Sequence, residues 1–234
     1  MALETYKKKR NFRSTPEPSG KTPKQSAKQE KLLYVVQKHR ATQLHYDFRL
    51  EFNGVLLSWA VPKGPSLDPG TKRLAMHVED HPVEYASFEG IIPEGEYGGG
   101  TVMVWDTGTW TPEVDDVEAA LRKGDLKFTL HGKKLHGSWV LVHTRGGFGG
   151  DRSWLLIKHR DEFASDKDIT VAEPRSAISK RLLAEIARDE GGDVEKAATG
   201  DPGGTMPSRR GAPAKKGAGP KSKKRKPSVW HSDR

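Results

Sequence analysis

QKHRATQLHYDFRLEFNGVLLSWAV, residues 37–61, is the stretch whose periodicity decides the fold. From Leu44 one alternation is apolar (Leu44, Tyr46, Phe48, Leu50, Phe52) and the other is His45, Asp47, Arg49 and Glu51, which is the period of a half-buried strand. Asn53 and Gly54 both tolerate positive φ, so the pair signals a two-residue hairpin that sets residues 44–52 antiparallel to residues 55–61. That register keeps His45, Asp47 and Arg49 together on one face. The outward face of a strand is usually filled with Lys, Thr, Ser and Glu. Histidine, aspartate and arginine at consecutive outward positions, with His39 upstream, is a different choice, open to chance or to a site.

Beyond this hairpin, the middle of the chain is a series of short alternating segments separated by Gly, Pro and Asn. Strands are expected at 32–37, 44–52, 55–61, 73–79, 101–106, 126–131, 138–143 and 153–159. Asp115 and Asp116 ahead of VEAALRKG give an acidic start and a Gly stop, which suits a helix near 115–123. Residues 175–190 place Ile178, Leu182, Leu183 and Ile186 on one stripe, the pattern of a helix packing on the sheet. So many short strands with so few helices argue for a mainly β chain closed as an antiparallel barrel or sandwich, with one or two peripheral helices. Trp59, Trp105, Trp139 and Trp154 are expected in its core.

Only 34% of the 234 residues are hydrophobic, low for a chain packed throughout. The formal net charge of +9 is carried by the ends: residues 1–31 are net +6, residues 198–234 net +8, and residues 32–197 net −5. Ends rich in Gly, Pro, Ser and Lys cannot bury enough apolar surface to offset chain entropy, so disordered basic tails are expected. Such arms bind polyanions by counterion release, or serve only solubility. The division expected is a basic N-terminal arm at 1–31, a barrel at 32–165, a linker and helix at 166–197, and a tail at 198–234. The absence of cysteine excludes disulfides and thiolate metal sites. Without a long apolar run or a signal-peptide core, no membrane is expected and the location expected is cytoplasmic, associated with the nucleoid.

His39, His45 and Asp47 can converge on one ion, and two imidazoles with a carboxylate suit Mn²⁺, Fe²⁺ or Zn²⁺ with open positions. The bland alternative is a solvated outer face. Arg49 shifts the balance, because a guanidinium beside a metal can grip a phosphate in bidentate fashion. In HVEDHPVEYASFEG, residues 77–90, His81 can stabilise or protonate a phosphate oxygen and Tyr85 can orient it, or both can be structural. Lys63, in a Pro/Gly loop, and Arg73 are natural phosphate-backbone contacts. The glycines of IIPEGEYGGG, residues 91–100, match no phosphate-loop spacing and are expected to build turns. His77, His131, His136, His143 and His159 are assigned no role.

QKHRATQLHYDFRLEFNGVLLSWAVPKGPSLDP, then RLAMHVEDHPVEYASFEGIIPEGEYGGG, then VWDTGTW together resemble the 3′-phosphoesterase family of the bacterial and archaeal ligase D proteins of non-homologous end joining, which also occurs free-standing. The resemblance covers roughly residues 6–160. It implies a compact β-barrel with a Mn²⁺-dependent site, in which Co²⁺ or Zn²⁺ could substitute. It also implies trimming of DNA 3′ ends: removal of a terminal ribonucleoside and then of the 3′-phosphate, leaving a 3′-hydroxyl for ligation. By motif position, His39, His45 and Asp47 would hold the metal, and Arg49 and His81 would bind the scissile phosphate with Tyr85 beside them. KKKRNFRSTPEPSG resembles the family's start and maps its contributing residues to Arg10, Asn11 and Glu17, with Asn11 standing where the family has an acid. Lys63 and Arg73 match positions that would contact substrate. The partners implied are DNA or RNA-tipped DNA 3′ ends, with an end-joining ligase, polymerase or Ku. Two other readings remain: a two-His-one-carboxylate Fe(II) oxygenase on a barrel, and a non-catalytic DNA-end-binding accessory protein.

Overall fold

The computed structural model describes residues 3–20, 31–145 and 150–203. Its strands are β1 (Leu32–Arg40), β2 (Leu44–Phe52), β3 (Val55–Val61), β4 (Arg73–Pro82), β5 (Gly90–Ile92), β6 (Gly100–Pro112), β7 (Asp125–Gly132), β8 (His136–His143) and β9 (Ser153–Lys158). Two antiparallel meanders, β1-β2-β3-β4 and β6-β7-β8-β9, join edge to edge through β4–β9 and β1–β6, which closes an eight-stranded barrel. The short β5 pairs with the start of β6 outside this ring. The hairpin forms as expected, with Asn53 at φ 50° and Gly54 at φ 77°, and Phe52 pairs with Val55.

The apolar alternation of β2 faces the barrel interior, where Tyr46, Phe48 and Leu50 join Trp59, Trp105, Trp110, Phe128, Trp139 and Trp154 in one core. The four tryptophans assigned to the core from sequence are at most 7% exposed. The interior is therefore filled by side chains, as in other small barrels.

β2 is buried on both faces, and the reason lies in two segments that cross the outside of the barrel wall. The connection from β4 to β6 carries a single 3-10 turn at Val83–Ser87, anchored where the Gln37 amide donates to the carbonyls of Tyr85 (3.0 Å) and Phe88 (2.9 Å). Residues 3–20 form the second cover. They carry α1 (Glu4–Lys8), and Tyr6 packs with Val35, Leu56, Tyr85 and Val104 in an outer apolar cluster. For residues 3–20 this corrects the expectation of a disordered N-terminal arm: Tyr6 is fully buried and its hydroxyl donates to the Pro18 carbonyl at 2.6 Å, while residues 21–30 of that arm lie outside the described residues. Residues 204–234, which carry most of the expected C-terminal tail, lie outside the described residues.

The helices are α2 (Val117–Lys123), α3 (Ile169–Ala172), α4 (Leu183–Glu190) and α5 (Val194–Ala198). The helix expected at 175–190 is shorter, and Ile178 is 45% exposed outside it. Ser176 Oγ accepts from the N–H groups of Ile178 and Ser179, which holds that stretch as a turn. α4 starts at Leu183 because Asp201 accepts from the Leu183 and Ala184 N–H groups and Glu185 reaches back to that of Leu182. Leu183, Ile186, Ala187 and Ala197 belong to the barrel's own core cluster, so residues 183–198 pack as part of the domain.

Candidate metal and phosphate site

Register creates the first half of the site. In the β1–β2 pair His39 stands opposite His45 and Gln37 opposite Asp47. His39 Nε2 donates to the Gly98 carbonyl at 2.8 Å and His45 Nδ1 to the Gln43 carbonyl at 3.1 Å. A carbonyl can only accept, so both tautomers are fixed, and the lone pairs left on His39 Nδ1 and His45 Nε2 face Asp47 Oδ2 at 3.7 and 3.8 Å. The three donor atoms lie within 4.8 Å of one another. Two histidines held from behind by main-chain carbonyls, one carboxylate and no sulfur fit a divalent transition metal with open positions. Burial pushes the Asp47 carboxyl up, but the Arg49 guanidinium and the two imidazoles outweigh it and hold the group ionised far below the usual carboxylate range. His45 is lowered by burial, partly offset by Asp47, which favours the neutral imidazole that a metal requires.

The second half is a nest of guanidinium groups. Arg49, 2% exposed, donates from Nε to Gln37 Oε1 (2.9 Å) and from Nη1 to Ser58 Oγ (2.8 Å), and its Nη2 lies 3.1 Å from Asp47 Oδ2. Arg10 comes from the N-terminal segment, donating from Nε to Glu17 Oε1 at 2.8 Å while its guanidinium lies 3.8 Å from the Tyr6 ring centroid. Glu17 is buried, and also accepts from Thr15 Oγ1 (2.9 Å) and the Tyr85 hydroxyl (3.0 Å). The Tyr85 phenol is pushed well up by burial and by Glu17, so it stays protonated as this donor.

His81 sits between the two guanidiniums, with Nε2 3.1 Å from Arg10 Nη2 and Nδ1 2.9 Å from both Arg49 Nη1 and the Glu79 carbonyl. Burial drives its imidazole well below the ordinary range, and Arg49 and Arg10 push the same way. A neutral imidazole has a single N–H. In either tautomer one guanidinium N–H therefore faces that N–H, and the cluster holds more donors than acceptors. Such a surplus fits an anion.

A pocket of about 300 Å³ unites both halves, lined by Arg10, His39, His45, Asp47, Arg49 and His81 together with Glu79, Tyr85, Tyr97 and Gly98. Glu17 stands behind it, holding Arg10 and Tyr85. Lys63 is exposed and Arg73 half-buried, and neither lines the pocket. Asn11 is also exposed, and its Oδ1 accepts from the Arg13 N–H at 3.2 Å in a local turn that aspartate would form equally well. The acid that this chain lacks is thus replaced at a turn outside the pocket lining.

Sequence reasoning missed Gln37, Glu79 and Tyr97. Gln37 is the amide that ties Arg49 to the covering turn. Glu79 accepts from Lys9 Nζ at 3.0 Å and lies 3.4 Å from Arg10 Nη1. It reaches this face through a β-bulge: the β3–β4 register slips between Leu56 and Ser58, so residues 79 and 80 together oppose Leu57. Unbroken alternation from Ala75 and His77 would have turned Glu79 and His81 into the barrel. The signal available was the adjacency of Gln37 to His39 in alternation, which places both on one face.

Residues 37–143 match the family described as the DNA ligase D 3′-phosphoesterase domain. The chain is 52% identical over 185 residues to the multifunctional non-homologous end joining protein LigD of Pseudomonas aeruginosa, covering 77% of this chain and 22% of that protein. It is 41% identical over 165 residues to the LigD protein of Mycolicibacterium smegmatis (68% and 21%). Against the multifunctional non-homologous end joining DNA repair protein LigD of Mycobacterium tuberculosis it is 43% identical over 146 residues (62% and 18%). The chain thus spans about a fifth of the length of these curated relatives. His39, His45, Asp47, Arg49, His81 and Tyr85 all fall within the matched segment, and residues 37–143 belong to the DNA ligase D 3′-phosphoesterase domain family.

Proposed function

We propose that this protein is a divalent-metal-dependent phosphoesterase that heals DNA 3′ ends, removing a 3′-terminal ribonucleoside and then the 3′-phosphate to leave a 3′-hydroxyl. One observation carries the reading: three metal-competent donor atoms and two guanidinium groups flanking a histidine open onto one small pocket. His39, His45 and Asp47 would hold the ion, with Mn²⁺ first and Co²⁺ or Zn²⁺ as substitutes, and a bound ion supplies Lewis-acid neutralisation of a phosphate oxygen.

The remaining chemistry belongs to the chain's own side chains. Arg49 and Arg10 present N–H groups to the phosphate oxygens, where they stabilise charge that develops as the P–O bond breaks. An anion between them offsets the repulsion from Arg49 and Arg10 that adds to burial in keeping His81 neutral, so His81 can take a proton from the attacking 2′-hydroxyl or water, or deliver one to the leaving oxygen. Glu17 holds Arg10 and Tyr85 steadies Glu17, so neither need touch substrate. Lys63, Arg73 and Asn11 lie outside the pocket, where contact with more distant phosphates of the strand is open to them. The partners proposed are DNA and RNA-tipped DNA 3′ ends in the cytoplasm at the nucleoid, with an end-joining ligase, polymerase or Ku. Among the described residues no helix is long and apolar enough to cross a membrane.

Primer-templates ending in a 3′-ribonucleotide or a 3′-phosphate, incubated with Mn²⁺ or with chelator, test the reading. Metal-dependent conversion to a 3′-hydroxyl that His45→Ala and Asp47→Ala abolish is the expected result. Turnover in chelator would overturn the metal assignment, and no turnover under any metal would overturn the function.

A further inference from the structure

Tyr97 is the pocket-lining aromatic that is not packed away. Tyr85, which lines the same pocket, is 3% exposed, whereas Tyr97 is 50% exposed at its rim. A large ring half open to water beside a charged cleft offers a stacking surface.

The ring is also held in place. Its loop is closed by two turns, with the Glu96 N–H donating to the Pro93 carbonyl and the Gly99 N–H to the Glu96 carbonyl. The next residue, Gly98, has φ +79°, and its carbonyl is the acceptor that fixes the His39 tautomer. Lys9 Nζ donates to the Tyr97 hydroxyl at 3.2 Å and lies 4.5 Å from the ring centroid, while the Arg10 guanidinium is 5.7 Å from it. The ring is therefore tied on one side to a candidate metal ligand and on the other to a candidate phosphate ligand. A nucleoside whose phosphate enters the nest of guanidinium groups brings its base within reach of this rim.

We propose that Tyr97 is the platform on which the base of the terminal nucleoside stacks, so that the pocket selects 3′ ends that carry a nucleobase next to the reacting phosphate. The proposal rests on the 3′-end-healing reading and names the part of the substrate that the phosphate nest leaves unrecognised. Stacking is tolerant of base identity, so the platform distinguishes a nucleoside from an abasic sugar without reading sequence.

The test uses two primer-templates with a 3′-phosphate, one ending in an ordinary nucleotide and one ending in an abasic residue. The unaltered full-length protein should show a KM for the base-bearing end roughly 5- to 150-fold below that for the abasic end, the span expected for one base on one aromatic ring. Tyr97→Ala should abolish that ratio, and Tyr97→Phe, which deletes only the hydroxyl bond to Lys9, should preserve it. Equal ratios in the unaltered protein and Tyr97→Ala would overturn the proposal, as would a Phe variant that loses the ratio completely. If the unaltered protein turns over neither substrate, the functional reading has failed on its own. Equilibrium binding of the same two fluorescently labelled ends to the unaltered protein and to Tyr97→Ala then decides the platform by the same ratio.

Discussion

Arg49→Lys keeps the positive charge at the centre of the site and removes the fork that distributes it, so it tests geometry apart from charge. The guanidinium spends Nε on Gln37, Nη1 on Ser58 beside His81, and Nη2 on Asp47, at separations of 2.8 to 3.1 Å. A lysine ammonium radiates three donors from one point and cannot reach Gln37, Ser58 and Asp47 together. Two charge-assisted bonds are then lost, each worth about 1.5–3 kcal/mol where the partner stays buried. If that loss falls on the transition state, roughly 3–6 kcal/mol lowers kcat/KM by about two to four orders of magnitude. Arg49→Met, which also leaves the buried Asp47 carboxylate without its cation, should be worse and should weaken folding as well. The assay is steady-state turnover of a 3′-phosphate primer-template in saturating Mn²⁺, with thermal unfolding measured in parallel. An Arg49→Lys enzyme within threefold of the parent, and equally stable, would refute the claim that the fork grips phosphate.

Three further outcomes follow from the same geometry. Metal at a hundred times its Kd should stabilise the fold by about 2.7 kcal/mol, read as a rise in Tm that chelator reverses; a His45→Ala protein showing the same rise would place the ion elsewhere. Burial, with Glu79 adding to it, pushes the Asp80 carboxyl up to about 6, so the folded state holds that proton longer than the unfolded chain. Stability from this group is present below about pH 4 and is lost as pH rises through 6. Asp80→Asn should therefore unfold at a higher temperature than the parent at pH 8 and at the same temperature at pH 4, and a variant no more stable at pH 8 would contradict the assignment. Deleting residues 204–234 removes ten Lys and Arg against one Asp, and should flatten the salt dependence of DNA binding without altering Tm. An unchanged salt slope would leave solubility as the tail's role. The cut must spare Asp201, because its carboxylate caps α4.

How much was legible follows the range of each signal. Alternation and the Asn53-Gly54 hairpin are local, and they were enough to align His45, Asp47 and Arg49 and to direct Tyr46, Phe48 and Leu50 inward. His39 was reachable because one tight connection separates it from His45. His81 was named from its chemistry, but its position depends on a bulge that alternation hides. Arg10 and Glu17 came only through the family resemblance, since nothing local says that residues 3–20 fold back on the barrel. Glu79 and Tyr97 were missed because their importance arises from packing: Lys9 reaches both, from 70 and 88 residues away in sequence. The helix at 175–190 was overextended because a hydrophobic stripe does not reveal that Ser176 diverts the backbone into a turn.

The placement of the site explains why it needs its covers. Tryptophan and phenylalanine fill the barrel interior and the candidate site sits on the outer wall, where water would screen a guanidinium pair and solvate a phosphate equally well. Residues 3–20 and the turn at Val83–Ser87 exclude that water, leaving Arg49 2% and His81 4% exposed. The same segment that covers the wall supplies Arg10, and Arg10 is oriented by Glu17 of that segment and approaches Glu79 and His81 of the barrel. Apolar docking of Tyr6 and assembly of the nest of guanidinium groups are thus one event. A Tyr6→Ala protein loses a fully buried ring, at a cost of about 3–5 kcal/mol, and with it the anchor that brings Arg10 to His81. Catalysis should fall at temperatures where the barrel's tryptophan fluorescence still reports a folded core, because Tyr6 belongs to the outer apolar cluster and the tryptophans to the inner one.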